Sequence, residues 1–207
     1  MTASNSLWDM TLAGFRDAIE SRSTPGCGAA AAASAGLGLA LVLKGLRITR
    51  GKQDDAPDTM QRAIERADAL LTRLGDYADE DVNAFEAYLA AVRLPHDDEV
   101  QGERRERAIA RAAERANAVP LGAARACREG LALSVEALAL TDANLQSDTR
   151  AGALMLHSGL SALLLGVDAN LASLDDDDER EALARARDGL QDAADRCRDD
   201  LLRQDAR

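Results

Sequence analysis

The feature that most constrains this chain is a run of small and apolar residues from Gly28 to Leu43. The run is 16 residues long, is interrupted only by Ser34 and ends at Lys44. A membrane-spanning helix needs about 20 such residues, so the run is short for a span. Its many Ala and Gly residues would let neighbouring helices approach closely. The run therefore predicts a central helix over about 29–46, buried inside a soluble helical bundle.

The rest of the chain also favours helices. Of 207 residues only five are aromatic, and the dominant types are Ala, Leu, Arg, Asp and Glu. This composition is rich in strong helix formers and poor in the β-branched residues that strands prefer. The apolar spacing, with its Gly-, Pro- and Asn-containing breaks, predicts further helices over 5–20, 58–92, 98–117, the segment after Pro120 to Leu140, 148–171 and a final stretch to about 203. We expect a single all-α domain over 1–207, a bundle of six to eight helices.

Charge and cysteine content limit the partners. The net charge is −11, and there is no Lys/Arg stripe with interleaved aromatic residues, so we expect no nucleic-acid partner. An anionic ligand would need a local basic cluster. The three cysteines form no C-x-x-C pair, and the N-terminus lacks the basic start and apolar run of a signal peptide. These features predict a cytoplasmic protein with reduced thiols.

No metal-ligand spacing involves the two histidines, His96 and His157. A carboxylate-only Mg²⁺ site stays open, because Asp and Glu are abundant. His157 lies within an apolar helix, which favours a hydrogen-bonded core histidine or an oligomer contact over a catalytic base.

The segment Thr24–Gly28 precedes the central helix. Free amides and the helix dipole favour an anion or a polar ligand edge there. The alternative is a turn whose glycines serve close packing. The segment also matches G-x-G-x-x-A, but a dinucleotide site needs a preceding strand, and the pattern before this segment is helical.

Two carboxylates are candidates for chemistry. Asp81 shares a helix face with Phe85 and Tyr88, so it lies either at a solvated helix edge, which its own pattern favours, or in a site. Asp148 follows a break in the chain and is either a helix N-cap or a site residue. The basic residues of 44–52 form either an anion site or a solvated helix C-terminus.

Six motifs occur in an order that resembles one family. They are T-P-G-C-G-A-A-A-A-A (24–33), R-I-T-R-G-K (47–52), D-E-D-V-N-A-F (79–85), R-L-P (93–95), V-P-L with A-C-R-E (119–129) and N-L-Q-S-D (144–148). Together they resemble the cyclodeaminase/cyclohydrolase family. That family includes methenyltetrahydrofolate cyclohydrolases and the cyclodeaminase domain of formimidoyltransferase-cyclodeaminase. The resemblance covers most of the chain and implies an all-α bundle that is usually a homodimer.

The resemblance also implies a reaction and a site. The reaction would be hydrolysis of 5,10-methenyltetrahydrofolate to 10-formyltetrahydrofolate, or ring closure of 5-formiminotetrahydrofolate with release of ammonia. Neither requires a metal or a redox cofactor. Catalytic roles would fall to Asp148 and Asp81, the polar core of the site, and to Lys52. Substrate-binding roles would fall to Thr24, Pro25, Gly26, Cys27, Gly28, Arg47, Arg93, Asn144 and Asn170.

The chain departs from the family's pattern at several of these positions. Cys27 stands for a glycine, Arg47 for an asparagine and Gly166 for an asparagine; Asp54 and Asp55 stand for Lys and Tyr. These departures keep two alternatives open. One is a non-catalytic relative that binds a folate or a small anion, and the other is a structural helical subunit.

Overall fold

The computed structural model describes residues 6–53, 55, 57–171 and 176–203. Within these ranges the chain forms helices and no strand, which confirms the all-α prediction. The six α-helices are α1 (Leu12–Ser21), α2 (Cys27–Arg50), α3 (Asp58–Val92), α4 (Glu99–Leu140), α5 (Gln146–Leu171) and α6 (Asp177–Arg203). Two 3-10 turns, Leu7–Asp9 and Ala143–Leu145, precede α1 and α5.

Helix α2 lies at the centre of the bundle and packs on α3, α4 and α5. Its closest neighbour is α5, where a Cβ added to Gly38 would lie 2.7 Å from the carbonyl oxygen of Gly152. Both α2 and the stretch Ala143–Leu171 have the length and composition of a membrane span. In α2, however, 67% of the apolar window is buried inside the protein. The predicted central helix of a soluble bundle is therefore confirmed.

The predicted break between Asn117 and Pro120 is wrong, because α4 continues through this segment to Leu140. Proline has no N–H to donate to the carbonyl four residues earlier, which here belongs to Ala116. That carbonyl instead accepts a hydrogen bond from Nδ2 of Asn170, at 3.3 Å. A partner from α5 thus satisfies the group that proline leaves open.

Two further boundaries differ from the prediction. The first apolar segment is not one helix over 5–20, because a 3-10 turn precedes α1 and the Thr11 side chain caps α1 by accepting from the Gly14 N–H. The expected connection over 47–57 is shorter, since α2 extends to Arg50.

Helix α6 packs on the bundle through the buried side chains of Ala194 and Leu201 and through polar contacts. His157 on α5 lies 2.6 Å from Asp195 on α6, and Arg187 binds Asp168 through two contacts of 2.9 Å. The expectation of a hydrogen-bonded histidine is confirmed. The acidic segment L-D-D-D-D-E (174–179) suits the N-terminus of a helix, and the Asp176 side chain accepts hydrogen bonds from the N–H groups of Asp178 and Glu179 at the start of α6. Leu174 and Asp175 of this segment lie outside the described residues.

Candidate functional site

A cavity of about 430 Å³ opens at the N-terminus of α2. Four parts of the chain line it: the segment before α2, the middle of α3, the region of α4 around Pro120, and the last turns of α5. Six of the site residues predicted from the sequence line this cavity: Thr24, Gly26, Cys27, Gly28, Asp81 and Asn170. Pro25, in the same segment, is buried. Seven of the twelve predicted site residues therefore lie around one end of the central helix.

Asp81 provides the carboxyl group of this cavity. Its Oδ2 accepts a hydrogen bond of 2.9 Å from the Ala29 N–H, so the carboxyl caps the first turn of α2. The helix can approach this closely because Gly28 has no side chain: a Cβ there would lie 2.6 Å from the Asp81 Cγ. The solvated helix edge that the local pattern favours is therefore wrong for Asp81.

The environment of Asp81 favours its protonated form. Burial raises the pKa of the Asp81 carboxyl, and the hydrogen bond from Ala29 offsets part of this effect. Among the described residues, Asp81 has no salt bridge. A buried carboxyl with a raised pKa binds and releases a proton closer to neutral pH than an ordinary aspartate does, which suits a general acid or base.

Aromatic rings from α3 form another part of the cavity wall. Phe85 and Tyr88 lie one and two turns beyond Asp81, and 42% and 36% of their surfaces are exposed. Exposed rings beside a carboxyl offer apolar contact to a flat ligand. Gly166 on the opposite wall leaves open space, since a Cβ there would meet no atom within 4 Å.

Asn117 is a cavity residue that the sequence analysis missed. It is only 8% exposed, and its Oδ1 has no hydrogen-bond partner within the described part of the chain. The pattern around Pro120 predicts a helix break, which would place Asn117 in a connection. An asparagine among the alanines of an otherwise helical segment was the signal that could have identified it.

Three predicted site residues, Asp148, Lys52 and Arg47, lie at the opposite end of α2. Asp148 forms an ion pair of 2.7 Å with Lys44, and Lys52 forms one of 2.7 Å with Asp142. Arg47 binds Asp68 at 2.6 Å. These three cations are exposed, and each is paired with a carboxylate.

Distance separates this end from the cavity. Along α2, Lys44 lies roughly 24 Å from Gly28 at a rise of 1.5 Å per residue. Within one chain, therefore, the structure does not bring Asp148 or Lys52 to Asp81. Two other predicted positions also lie away from the cavity: Asn144 is in the 3-10 turn before α5, and Arg93 ends α3. Asp54 lies outside the described residues.

The chain matches known proteins over most of its length. The family model of formiminotransferase-cyclodeaminase matches residues 11–188. A methenyltetrahydrofolate cyclohydrolase of Methylorubrum extorquens is 31% identical over 183 residues, which cover 87% of this chain and 88% of that protein. The formimidoyltransferase-cyclodeaminase of Sus scrofa is 35% identical over 177 residues, which cover 83% of this chain and 32% of that longer protein.

A solved structure supports the fold. The formiminotetrahydrofolate cyclodeaminase of Thermotoga maritima superposes with a TM-score of 0.81 at 23% identity, and the match covers 94% of both chains.

Proposed function

Because this chain belongs to the formiminotransferase-cyclodeaminase family, we propose that it hydrolyses 5,10-methenyltetrahydrofolate to 10-formyltetrahydrofolate. The observation that carries the proposal is the Asp81 carboxyl, which is half-buried in the cavity wall and hydrogen-bonded to the first turn of α2. Cyclohydrolysis is the first choice because the cyclohydrolase relative matches along 88% of its length.

The chemistry needs one carboxylate near the reacting carbon. The substrate carries a positive charge on the N5–C–N10 bridge, which the Asp81 carboxylate stabilises. Water adds to the bridging carbon and gives one proton to Asp81. The bond from this carbon to N5 then breaks, and Asp81 returns its proton to N5. The hydroxyl of the adduct loses its proton to solvent as the 10-formyl carbonyl forms. Water is consumed and one proton is released overall.

The remaining cavity residues suit the substrate's shape. Phe85 and Tyr88 offer apolar contact to the fused ring. The segment Thr24–Gly28 brings backbone groups beside it at the start of α2. The proposed reaction uses no metal or redox cofactor, and the substrate is the folate itself.

The test is the absorbance decay of 5,10-methenyltetrahydrofolate against its spontaneous rate. We expect Asp81→Asn to lower turnover by about 10²- to 10⁴-fold, the usual loss when a general acid–base group is removed. Asp76→Asn is the matched control, because Asp76 is an exposed carboxylate on the same helix. A wild-type protein that does not accelerate the decay, or an active Asp81→Asn variant, would contradict the proposal.

The second candidate is cyclodeamination, which the names of the mammalian relatives and of the Thermotoga structure favour. The same carboxyl could move the protons needed to close the 5-formimino ring and expel ammonia. Ammonia release from 5-formiminotetrahydrofolate, compared with methenyltetrahydrofolate hydrolysis at equal enzyme concentration, decides between the two reactions.

We also propose that the protein is a homodimer. Exposed apolar side chains follow one stripe of α2 and α5: Leu37, Ile48, Leu154 and Leu165 are 48%, 41%, 44% and 64% exposed. An apolar stripe of this kind fits a partner surface, and a second copy offers the same stripe. If a two-fold axis crosses the middle of α2, Lys44 and Asp148 of one subunit approach the Thr24–Gly28 segment of the other.

Subunit mixing tests this arrangement. If Asp148 acts across the interface, mixing inactive Asp81→Asn and Asp148→Asn proteins after unfolding and refolding restores about a quarter of wild-type turnover, because half of the molecules are mixed dimers with one intact site. No recovery, or a monomer in sedimentation, would contradict the shared site.

We further propose a cytoplasmic location, since free Cys27, Cys127 and Cys197 suit a reducing compartment.

A further inference from the structure

Asn117 lines the cavity, and among the described residues its buried Oδ1 has no hydrogen-bond partner. The residue is only 8% exposed. A buried amide without a partner costs stability, because it has given up its hydrogen bonds to water. A residue of this kind in a cavity wall is accounted for when a bound molecule supplies the missing partner.

The residues that line the cavity next to Asn117 on α4, and one of those facing from α5, are apolar. The α4 neighbours that share the cavity, Val119 and Pro120, are apolar, and so is Leu163 on α5. The adjacent Ala116 carbonyl is already bound by Asn170. The Asn117 head group is thus a polar group within a largely apolar part of the wall.

We propose that Asn117 binds the lactam edge of the pterin ring, with Oδ1 accepting from N3–H and Nδ2 donating to the C4 carbonyl. This inference rests on the proposed folate substrate. A carboxamide offers one acceptor beside one donor, and a lactam edge offers the complementary pair. The glutamate carboxylates of a folate only accept hydrogen bonds, so they would leave Oδ1 unsatisfied.

This pairing gives the two polar groups of the cavity separate tasks. Asn117 on α4 orients the ring, and Asp81 on α3 is left to act at the bridging carbon. Asn117 is therefore a positioning residue and not a catalytic one. Because its hydrogen bonds form equally in the bound substrate and the transition state, their loss raises KM more than it lowers kcat.

Fragment binding to the purified full-length protein tests the pairing. The probes are 6-hydroxymethylpterin, its N3-methyl derivative and 4-aminobenzoylglutamate, measured by calorimetry. We expect Asn117→Leu to weaken pterin binding about tenfold to a hundredfold and to leave 4-aminobenzoylglutamate binding unchanged. The N3-methyl derivative cannot donate, so it binds the wild type weakly and loses little more in the variant. Asn117→Ser, which removes the amide with less bulk, is expected to behave in the same way.

The outcomes separate the two proposals. Unchanged pterin binding in both variants, or equal weakening of both fragments, overturns the role of Asn117. If the wild type still hydrolyses methenyltetrahydrofolate in that case, the proposed function stands. A wild type that neither turns over the folate nor binds either fragment overturns both.

Discussion

The two ends of α2 carry carboxylates in opposite situations. At the N-terminal end, Asp81 accepts a hydrogen bond from the Ala29 N–H and faces a cavity, and no cation among the described residues pairs with it. At the C-terminal end, Asp148 pairs with Lys44 and Asp142 with Lys52. The same residue type is thus kept available for a ligand at one end and bound to a cation at the other.

This contrast shows which surroundings allow a carboxylate to act as a general acid or base. Burial raises the pKa of Asp81, and no cation among the described residues pairs with its carboxyl. Exposed ion pairs are screened by water and add little stability. In a chain of net charge −11, acidic residues are common, and their surroundings decide which of them can do chemistry.

The largest effect is expected from Gly28→Ala. The added methyl would lie 2.6 Å from the Asp81 Cγ, so the carboxyl must move. Displacing a catalytic group by about 1 Å can cost about 100-fold in turnover. We expect a loss of that size in turnover, together with a loss of about 1–3 kcal/mol in unfolding free energy, because the methyl crowds Asp81 and displaces its hydrogen bond to Ala29. Turnover at the wild-type level would show that the position of Asp81 is not critical.

The next effect is a pH dependence of turnover. Asp81 acts as a base only when ionised, so the rate falls about tenfold per pH unit below its raised pKa. Because burial raises the pKa of this carboxyl, the fall begins at a higher pH than for an ordinary aspartate. The pH profile of kcat/KM measures the pH at which this fall begins. A profile that stays flat until the pH range of an exposed aspartate would contradict the assignment.

A smaller effect is expected from Gly45→Ala near the other end of α2. Its Cβ would lie 2.8 Å from the Thr149 Oγ1 and 2.9 Å from the Thr141 Cγ2. Crowding of this kind costs about 1–3 kcal/mol. Denaturant unfolding measures the loss. The control is Gly189→Ala on α6, where a Cβ meets nothing within 4 Å and helix propensity predicts a small gain. Equal stabilities for the two variants would rule out crowding at Gly45.

The smallest effect is expected from Asp142→Asn. The Lys52 and Asp142 side chains are 52% and 34% exposed, so their pair contributes about 0–1 kcal/mol. We expect a loss in that range at low salt, and a smaller one in 0.5 M NaCl because salt screens exposed charges. Urea unfolding at both salt concentrations provides the measurement. A large loss of unfolding free energy that does not depend on salt would contradict the view of this ion pair as an exposed, screened one.

Local patterns predicted much of this fold. The apolar spacing gave the bounds 58–92, which α3 matches, and the small-residue run identified the central helix. The environment of Asp81 could not be predicted in the same way, because its hydrogen-bond partner is 52 residues away in sequence. The resemblance brought Asp81 and Asp148 together by motif alone, whereas their separation depends on how α2 and α5 pack.

Pro120 limits which amino-acid substitutions the cavity wall can accept. In an ordinary helix the Ala116 carbonyl would receive the N–H of residue 120; here it is left to Asn170. Replacing the proline with any other residue would supply a competing donor and favour the uninterrupted helix. The hydrogen bond between Asn170 on α5 and the Ala116 carbonyl on α4 therefore depends on Pro120, a residue that weakens its own helix. Substitutions that improve α4 as a helix are the ones that would loosen the wall of the cavity.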